Sequence, residues 1–454
     1  MSHYRITDPS TGEIIADYPA ATDAEVSAAI DAAALAYRGT VAADRAARAA
    51  KIARVAELHL ERADELAEII AQEMGKPIEQ SRGEVEFSAS IYQYYADEAV
   101  GHLVDEEIPN EGGGRAFVRR VGLGVILGIM PWNFPYYQVA RFAGPNLILG
   151  NTILLKHAEQ CPRSAEAIAR IYRDAGFGDS YVNLRATHDQ IERVIADPRV
   201  QGVSLTGSER AGAAVAEIAG RHLKKAVLEL GGSDVFLVLD TSDLDAAVEM
   251  AVEGRIENSG QACNGSKRIV VLDRYYDEFA AKFVAAMGEV TSGPASETGI
   301  NIGPLSSARA AELLGEQVSR AVAQGAVLEL GATAAEGAFF PPTVLTGVTP
   351  EMDAYREELF GPAAVLYRVA DDAAAIELAN SSPYGLGSVV ICEDLDRAVA
   401  VGDQLEVGMV FMNGVGLDGP HLPFGGVKRS GFGRELGRYA LEEFANKKLY
   451  VFAE

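Results

Sequence analysis

Basic residues are scarce in this 454-residue chain: 40 Lys and Arg stand against 65 Asp and Glu, a formal net charge of −25 at pH 7. Such a surface repels nucleic acid and anionic membranes, so neither is an expected partner. An anionic ligand would then need a locally positive pocket. Cysteine is rarer still, with Cys161, Cys263 and Cys392 widely spaced and odd in number. That argues against a disulfide framework and for a reducing compartment, the cytoplasm. Seven scattered histidines show no metal-ligand spacing, so no metal is expected. The longest clean apolar run, GVILGIM at 124–130, is far too short to span a bilayer. The opening MSHYRITDPSTGEII has no basic stretch leading into an apolar core, so no signal peptide is expected. Internal repeats and low-complexity tracts are absent as well.

What is present is the balance of an ordinary globular protein, 48% apolar and 23% charged, in a chain long enough for two or more domains. From Thr22 to about His102 apolar residues recur at helical spacing. NEGGG at 110–114 reads as a turn between two short strands, a projecting hairpin. From Gly124 onward short apolar runs alternate with helices, which argues for βαβ units and parallel sheets. A second alternating set begins at RIVVLD (268–273), and the boundary between the sets falls near LGGSD (230–234). One dinucleotide-loop match, GVGLDG at 414–419, is a decoy. PHLPFGG follows it, and two prolines stand where a helix should open to hold a pyrophosphate.

GQACNGSKR (260–268) poses the chemical question. A lone cysteine is more often a small buried hydrophobe than a nucleophile. Cys263, however, sits among polar and small neighbours that would leave it open to substrate. A thiolate attacks a carbonyl readily and without a strong adjacent base.

Five motifs in order, PWNFP (131–135), LELGG (228–232), GQAC, EELFGP (357–362) and PFGGVKRSGFGRELG (423–437), resemble the aldehyde dehydrogenase superfamily over nearly the whole chain. The resemblance implies an α/β fold with a Rossmann-type cofactor domain (1–104 and 122–230) and an α/β catalytic domain (231–432). A small β oligomerisation hairpin with the C-terminal strand (105–121 and 433–454) would complete it. It implies that Cys263 attacks the aldehyde and that the Asn133 amide and the Cys263 backbone N–H receive the oxyanion. Glu229 would activate water against the resulting thioester, and Glu435 matches a glutamate assigned to proton relay. The plainer alternatives are a turn asparagine, a solvated strand-end carboxylate and a salt bridge.

For the cofactor, NAD or NADP, the resemblance points to Trp132, Lys156, Glu159, Ser208, Glu358 and Phe360. Lys156 and Glu159 would hold the adenine ribose, and a carboxylate there favours NAD over a 2′-phosphate. Ser208 would meet the pyrophosphate at a helix start, or simply cap the helix. The glycines that family members often carry after the strand YVNLR are replaced here by ATHDQIE. Arg141 is similar to an arginine of the succinate semialdehyde dehydrogenase branch that pairs with the substrate carboxylate, a task suited to a guanidinium. The second arginine of the mammalian-type pocket is Glu257 here, and its serine before PFGG gives way to LDGPHL, with Arg255 and His421 as weak candidates to assist. Tyr136 and Tyr137 would line the tunnel or pack a helix start. The expected activity is NAD(P)-dependent oxidation of a short ω-carboxy aldehyde by a homodimer or homotetramer. The alternatives are another small aldehyde, a CoA-acylating relative, a cysteine hydrolase and a noncatalytic relative. A hydrolase needs a nearby histidine, and the local sequence has none.

Overall fold

A computed structural model describes residues 4–41 and 44–453. The expected domain ranges therefore begin and end on residues, 1–3 and 454, that lie outside the described part, as do 42 and 43. Two large sheets organise the chain. The first has six strands in the order Gly431–Phe432, Lys225–Glu229, Val200–Thr206, Val125–Met130, Thr152–His157 and Tyr181–Asn183, parallel except for the first. Such strands are covered by helices on both faces and read as continuous apolar runs. Thr152–His157, for example, is buried at every position.

The chain leaves this sheet after Glu229 and enters the second at Asp234. The second sheet has seven strands in the order Val327–Leu330, Thr343–Thr346, Ala363–Val369, Ser266–Leu272, Asp234–Val238, Ser388–Ile391 and Phe411–Met412. Only the Val327–Leu330 edge runs antiparallel. Gly431–Phe432, expected with the catalytic part, returns instead to pair antiparallel with Leu228–Glu229.

The helical stretch resolves into Asp23–Val41, Arg45–Glu61, Ala63–Met74 and Ile78–His102. The expected hairpin is there: Glu106–Glu107 pairs with Ala116–Gly122, and the last strand, Ala445–Val451, adds to the other side of Ala116–Gly122. That last strand is a sheet edge, with Leu449, Val451 and Phe452 exposed beside it. No described helix is long and apolar enough to cross a membrane.

The helix Tyr137–Leu149 matters most for the site. All thirteen of its residues are buried. No side chain of its own caps it. Instead Glu84 Oε1, from the helix Ile78–His102, accepts from the backbone N–H of Tyr136 at 2.8 Å and of Tyr137 at 3.2 Å. A carboxylate there satisfies orphan donors and the helix dipole together. Glu84 in turn is paired with the buried ammonium of Lys76.

Candidate active site

The carboxyl ends of parallel strands are where α/β sheets place ligands. In the six-stranded sheet these ends deliver Asn133 after Val125–Met130, Lys156 within Thr152–His157, Ser208 after Val200–Thr206, and Glu229 closing Lys225–Glu229. Opposite them stand the amino ends of the second sheet, where Cys263 precedes Ser266–Leu272. Asn133 links the two halves directly, its Nδ2 donating to the Gln261 carbonyl at 2.9 Å.

Unusual backbone shapes the nucleophile loop. Asn258 and Ser259 adopt left-handed conformations (φ 51° and 55°), which non-glycine residues seldom do, and Gly260 follows at φ 75°. A Cβ at Gly260 would lie 2.3 Å from the Gly361 backbone. The GQAC and FGP motifs are thus two sides of one close contact. Asn258 Nδ2 donates to the Asn133 carbonyl at 2.8 Å, and the buried Arg255 donates to the Gly260 carbonyl at 2.5 Å. Arg255 therefore holds the loop and lies outside the cavity lining. His421 is exposed and also outside that lining.

Cys263 opens onto a cavity of about 330 Å³. Phe134, Tyr137, Gln138, Arg141 and Phe424 line it, with Lys76, Glu257 and Asp418 adding charge. Tyr137, Gln138 and Arg141 share one side of the buried helix, at spacings of one, three and four residues. Gly416 and Asp418, from the GVGLDG segment, line the same cavity, and among the described residues no helix opens directly after that segment. That segment therefore bounds the cavity that Cys263 enters.

The Asn133 side chain is oriented from both ends. Its Oδ1 accepts from Gln138 Nε2 at 2.9 Å, and its Nδ2 spends one hydrogen on Gln261. The second Nδ2 hydrogen remains for a ligand oxygen. Arg141 is buried, its Nε 2.7 Å from Glu435 Oε2, and its guanidinium stacks on Phe424 and Tyr137 at 4.2 and 4.6 Å. Its Nη2 is buried with no hydrogen-bond partner among the described residues. Such a donor is costly to leave unmet and marks a place for an acceptor. The salt bridge anticipated for Glu435 and the pocket role anticipated for Arg141 thus meet in one pair.

Burial pushes the Cys263 thiol up to about 12, opposed by the positive charges of Arg141 and Lys267. The resting sulfur is held as the thiol. Attack therefore needs a proton acceptor or added positive charge nearby. Glu229 is buried and both its carboxylate oxygens lack partners among the described residues. Burial, then repulsion from Glu435, holds its carboxyl well above the usual range, while Arg141 draws it down. Glu229 lies outside the cavity lining. A Cβ on Gly425, next to the lining residue Phe424, would come within 2.6 Å of its Oε1.

The residues proposed for a dinucleotide fit such a group. Glu358 Oε1 accepts from the Gly232 N–H at 3.1 Å, while its Oε2 sits where a Cβ on Gly231 would be 2.2 Å away. LELGG carries glycine there so that this carboxylate can approach. Trp132 and Phe360 meet edge to face at 5.8 Å. Ser208 caps the helix Glu209–Arg221 and is exposed, leaving that N-terminus open to a phosphate. Lys156 Nζ lies 3.5 Å from Glu159 Oε1, which is also 3.5 Å from His188 Nε2. His188 opens the helix His188–Ala196, in the segment that replaces the glycines. Among the described residues no group of His, Cys, Asp and Glu is placed to hold a metal.

Several of these residues carry no motif of their own. Gln138, Asn258, Lys76 and Glu84 converge from distant segments. Lys267 did leave a signal: a lysine at the start of the strand SKRIVVL, which is buried at every position, where charges are rarely found unless paired.

A model of the aldehyde dehydrogenase family matches residues 1–450. The chain is 51% identical over 449 residues to a succinate-semialdehyde dehydrogenase [NADP(+)] of Deinococcus radiodurans, covering 98% of this chain and 94% of that relative. It is 43% identical to one of Mycobacterium ulcerans, covering 97% and 98%. A crystal structure of succinic semialdehyde dehydrogenase from Streptococcus pyogenes in complex with NADP+ superposes with a TM-score of 0.97 at 39% identity, covering 99% of this chain and 100% of that one.

Proposed function

The chain belongs to the aldehyde dehydrogenase family, and from that premise we propose that it oxidises succinate semialdehyde, or a similarly short ω-carboxy aldehyde, to the acid. The observation that carries the substrate is Arg141 with its unpartnered Nη2, on the wall of the cavity that Cys263 enters. It also answers the charge problem. In a protein of net charge −25, one desolvated guanidinium gives an anion a local attraction.

In this reading Cys263 Sγ adds to the aldehyde carbon, and its proton passes to solvent or to a carboxylate. The alkoxide that forms is met by Asn133 Nδ2 and the Cys263 N–H. Trp132, Glu358 and Phe360 would hold a nicotinamide cofactor, which would supply the hydride acceptor. Loss of hydride leaves a thioester on Cys263. Glu229, once ionised and held by no hydrogen bond among the described residues, takes a proton from the attacking water. A cysteine hydrolase would need a histidine base, and none lines the cavity.

For the cofactor we favour NADP over the NAD that Glu159 by itself would indicate. Support comes from the relatives named for NADP(+) and from the company Glu159 keeps. Its carboxylate is shared by Lys156 and His188, which moderates its repulsion of a 2′-phosphate. The open edge at Ala445–Val451, with its exposed apolar residues, we assign to self-association.

A panel of aldehydes run with each cofactor tests the reading. Succinate semialdehyde with NADP should give the highest kcat/KM, and butanal a value about a hundredfold lower, the worth of one charged hydrogen-bonded contact. Equal values for the two aldehydes would refute carboxylate recognition. Arg141→Lys is the informative variant, because truncation would leave Glu435 buried and unpaired, at a cost of about 3–5 kcal/mol. Lysine keeps the charge and loses the planar fork. The kcat/KM for succinate semialdehyde should fall about tenfold or more, with that for butanal nearly unchanged.

A further inference from the structure

Lys267 stands second in Ser266–Leu272, a strand buried at every position, and its side chain is 1% exposed. Desolvating an ammonium is tolerated where every donor is met. Here Nζ donates to the Ala262 carbonyl at 2.7 Å and the Cys263 carbonyl at 2.8 Å, and it pairs with Glu358 Oε1 at 3.1 Å. Two carbonyls accept from the ammonium and a carboxylate balances its charge. The ammonium also lies 5.8 Å from the Phe360 ring.

Two consequences follow from peptide geometry and charge. The Ala262 carbonyl is one end of a planar trans unit whose other end is the Cys263 N–H. Fixing that oxygen fixes the direction of the N–H, and a cation on the oxygen polarises the amide into a stronger donor. Second, Glu358 Oε1 is committed to Lys267 and to the Gly232 N–H, which leaves Oε2 for a ligand hydroxyl. The charged groups that face the sulfur are Arg141 and Lys267 against Glu358 and Asp234, with the Tyr137 hydroxyl nearby. Loss of Lys267 would remove one of the two positive charges that face Cys263.

We propose that Lys267 is a positioning residue: its one ammonium ties the peptide that would receive the oxyanion to the carboxylate that would hold the cofactor, so that seating the cofactor and aiming the nucleophile are a single event. The proposal rests on the roles given above to Cys263 and Glu358. It goes beyond them in giving those two sites a shared mechanical and electrostatic link.

The test uses the full chain with Lys267→Met, Lys267→Gln and Lys267→Arg. The readouts are the NADP dissociation constant, kcat and KM for succinate semialdehyde, and the rate of iodoacetamide alkylation of Cys263 against pH without cofactor. For Lys267→Met, kcat should fall at least about tenfold with little change in the aldehyde KM. NADP should bind about tenfold more weakly, and the alkylation profile should move about one unit to higher pH. Lys267→Arg, which keeps the charge, should leave that profile in place. Should Lys267→Met not fold, the Gln and Arg variants carry the same contrast, because glutamine donates hydrogen bonds without charge. A folded Met or Gln variant with the parent alkylation profile and NADP affinity would reduce Lys267 to a loop anchor and overturn the proposal. Failure of the underlying roles would register separately, as turnover surviving loss of Cys263 or as a parent enzyme that does not bind NADP.

Discussion

Cys263→Ala should lower kcat by about 10⁵ or more while the variant still binds NADP with parent affinity, measured by nucleotide titration. The size of the effect follows from what the thiol supplies. It converts hydride loss from an aldehyde hydrate into hydride loss from a covalent adduct held against Asn133 Nδ2, and no second cysteine is among the cavity's lining residues. Alanine preserves the loop, because the hydrogen bonds that set it run through the Gly260, Gln261, Ala262 and Cys263 carbonyls and the Asn258 amide, not through the sulfur. Residual turnover near the parent value would remove Cys263 from the mechanism. The pH behaviour of the same sulfur is a check of its surroundings. With the thiol pushed up to about 12, it is protonated across neutral and mildly alkaline pH. Its alkylation in cofactor-free enzyme should therefore rise about tenfold per pH unit there, without a plateau. A plateau near neutrality would mean the sulfur is already ionised.

Glu229→Gln should separate the two halves of the reaction. Rapid mixing should show one burst equivalent of reduced cofactor per active site, followed by steady turnover about 10²–10⁴-fold slower than the parent. The burst survives because Glu229 lies outside the cavity lining and makes no hydrogen bond to the sulfur's loop or to Asn133 among the described residues. The steady rate fails because a glutamine cannot take the water's proton. The substitution also removes a buried carboxyl that has no hydrogen-bond partner among the described residues and that Glu435 repels. Glutamine puts an equally unpartnered amide there, so the variant should unfold at nearly the parent temperature. Loss of the burst together with turnover would place Glu229 in thiol activation instead.

The parts of this site that were legible in the sequence are those fixed to strand ends. Asn133 and Glu229 stand at glycine- or proline-marked exits from buried apolar runs, and Cys263 in the glycine-marked loop that enters another. The βα alternation from Gly124 was legible for the same reason: parallel strands must be apolar throughout. Other elements left weak traces. The helix Leu244–Ile256, which leads into the nucleophile loop, buries small residues such as Ala247 and Ala251 and makes a poor apolar stripe. Tyr137–Leu149 is buried all round and has no polar face to set its period. The hairpin of Tyr4–Thr7 and Ile14–Tyr18 is mostly exposed on its second strand, so alternation fails there. The capping of one helix by Glu84 from another, and the three-way grip of Lys267, are tertiary facts between segments remote in sequence. No local pattern encodes them.

The covalent step is the claim on which the roles of Asn133, Glu229 and Arg141 all depend. Glu229→Gln enzyme mixed with NADP and succinate semialdehyde, quenched in acid during the burst and digested, allows that step to be weighed directly by mass spectrometry. The account predicts that the peptide bearing Cys263 gains the mass of one succinyl group in step with reduced cofactor. An unmodified Cys263 peptide while reduced cofactor accumulates would contradict it.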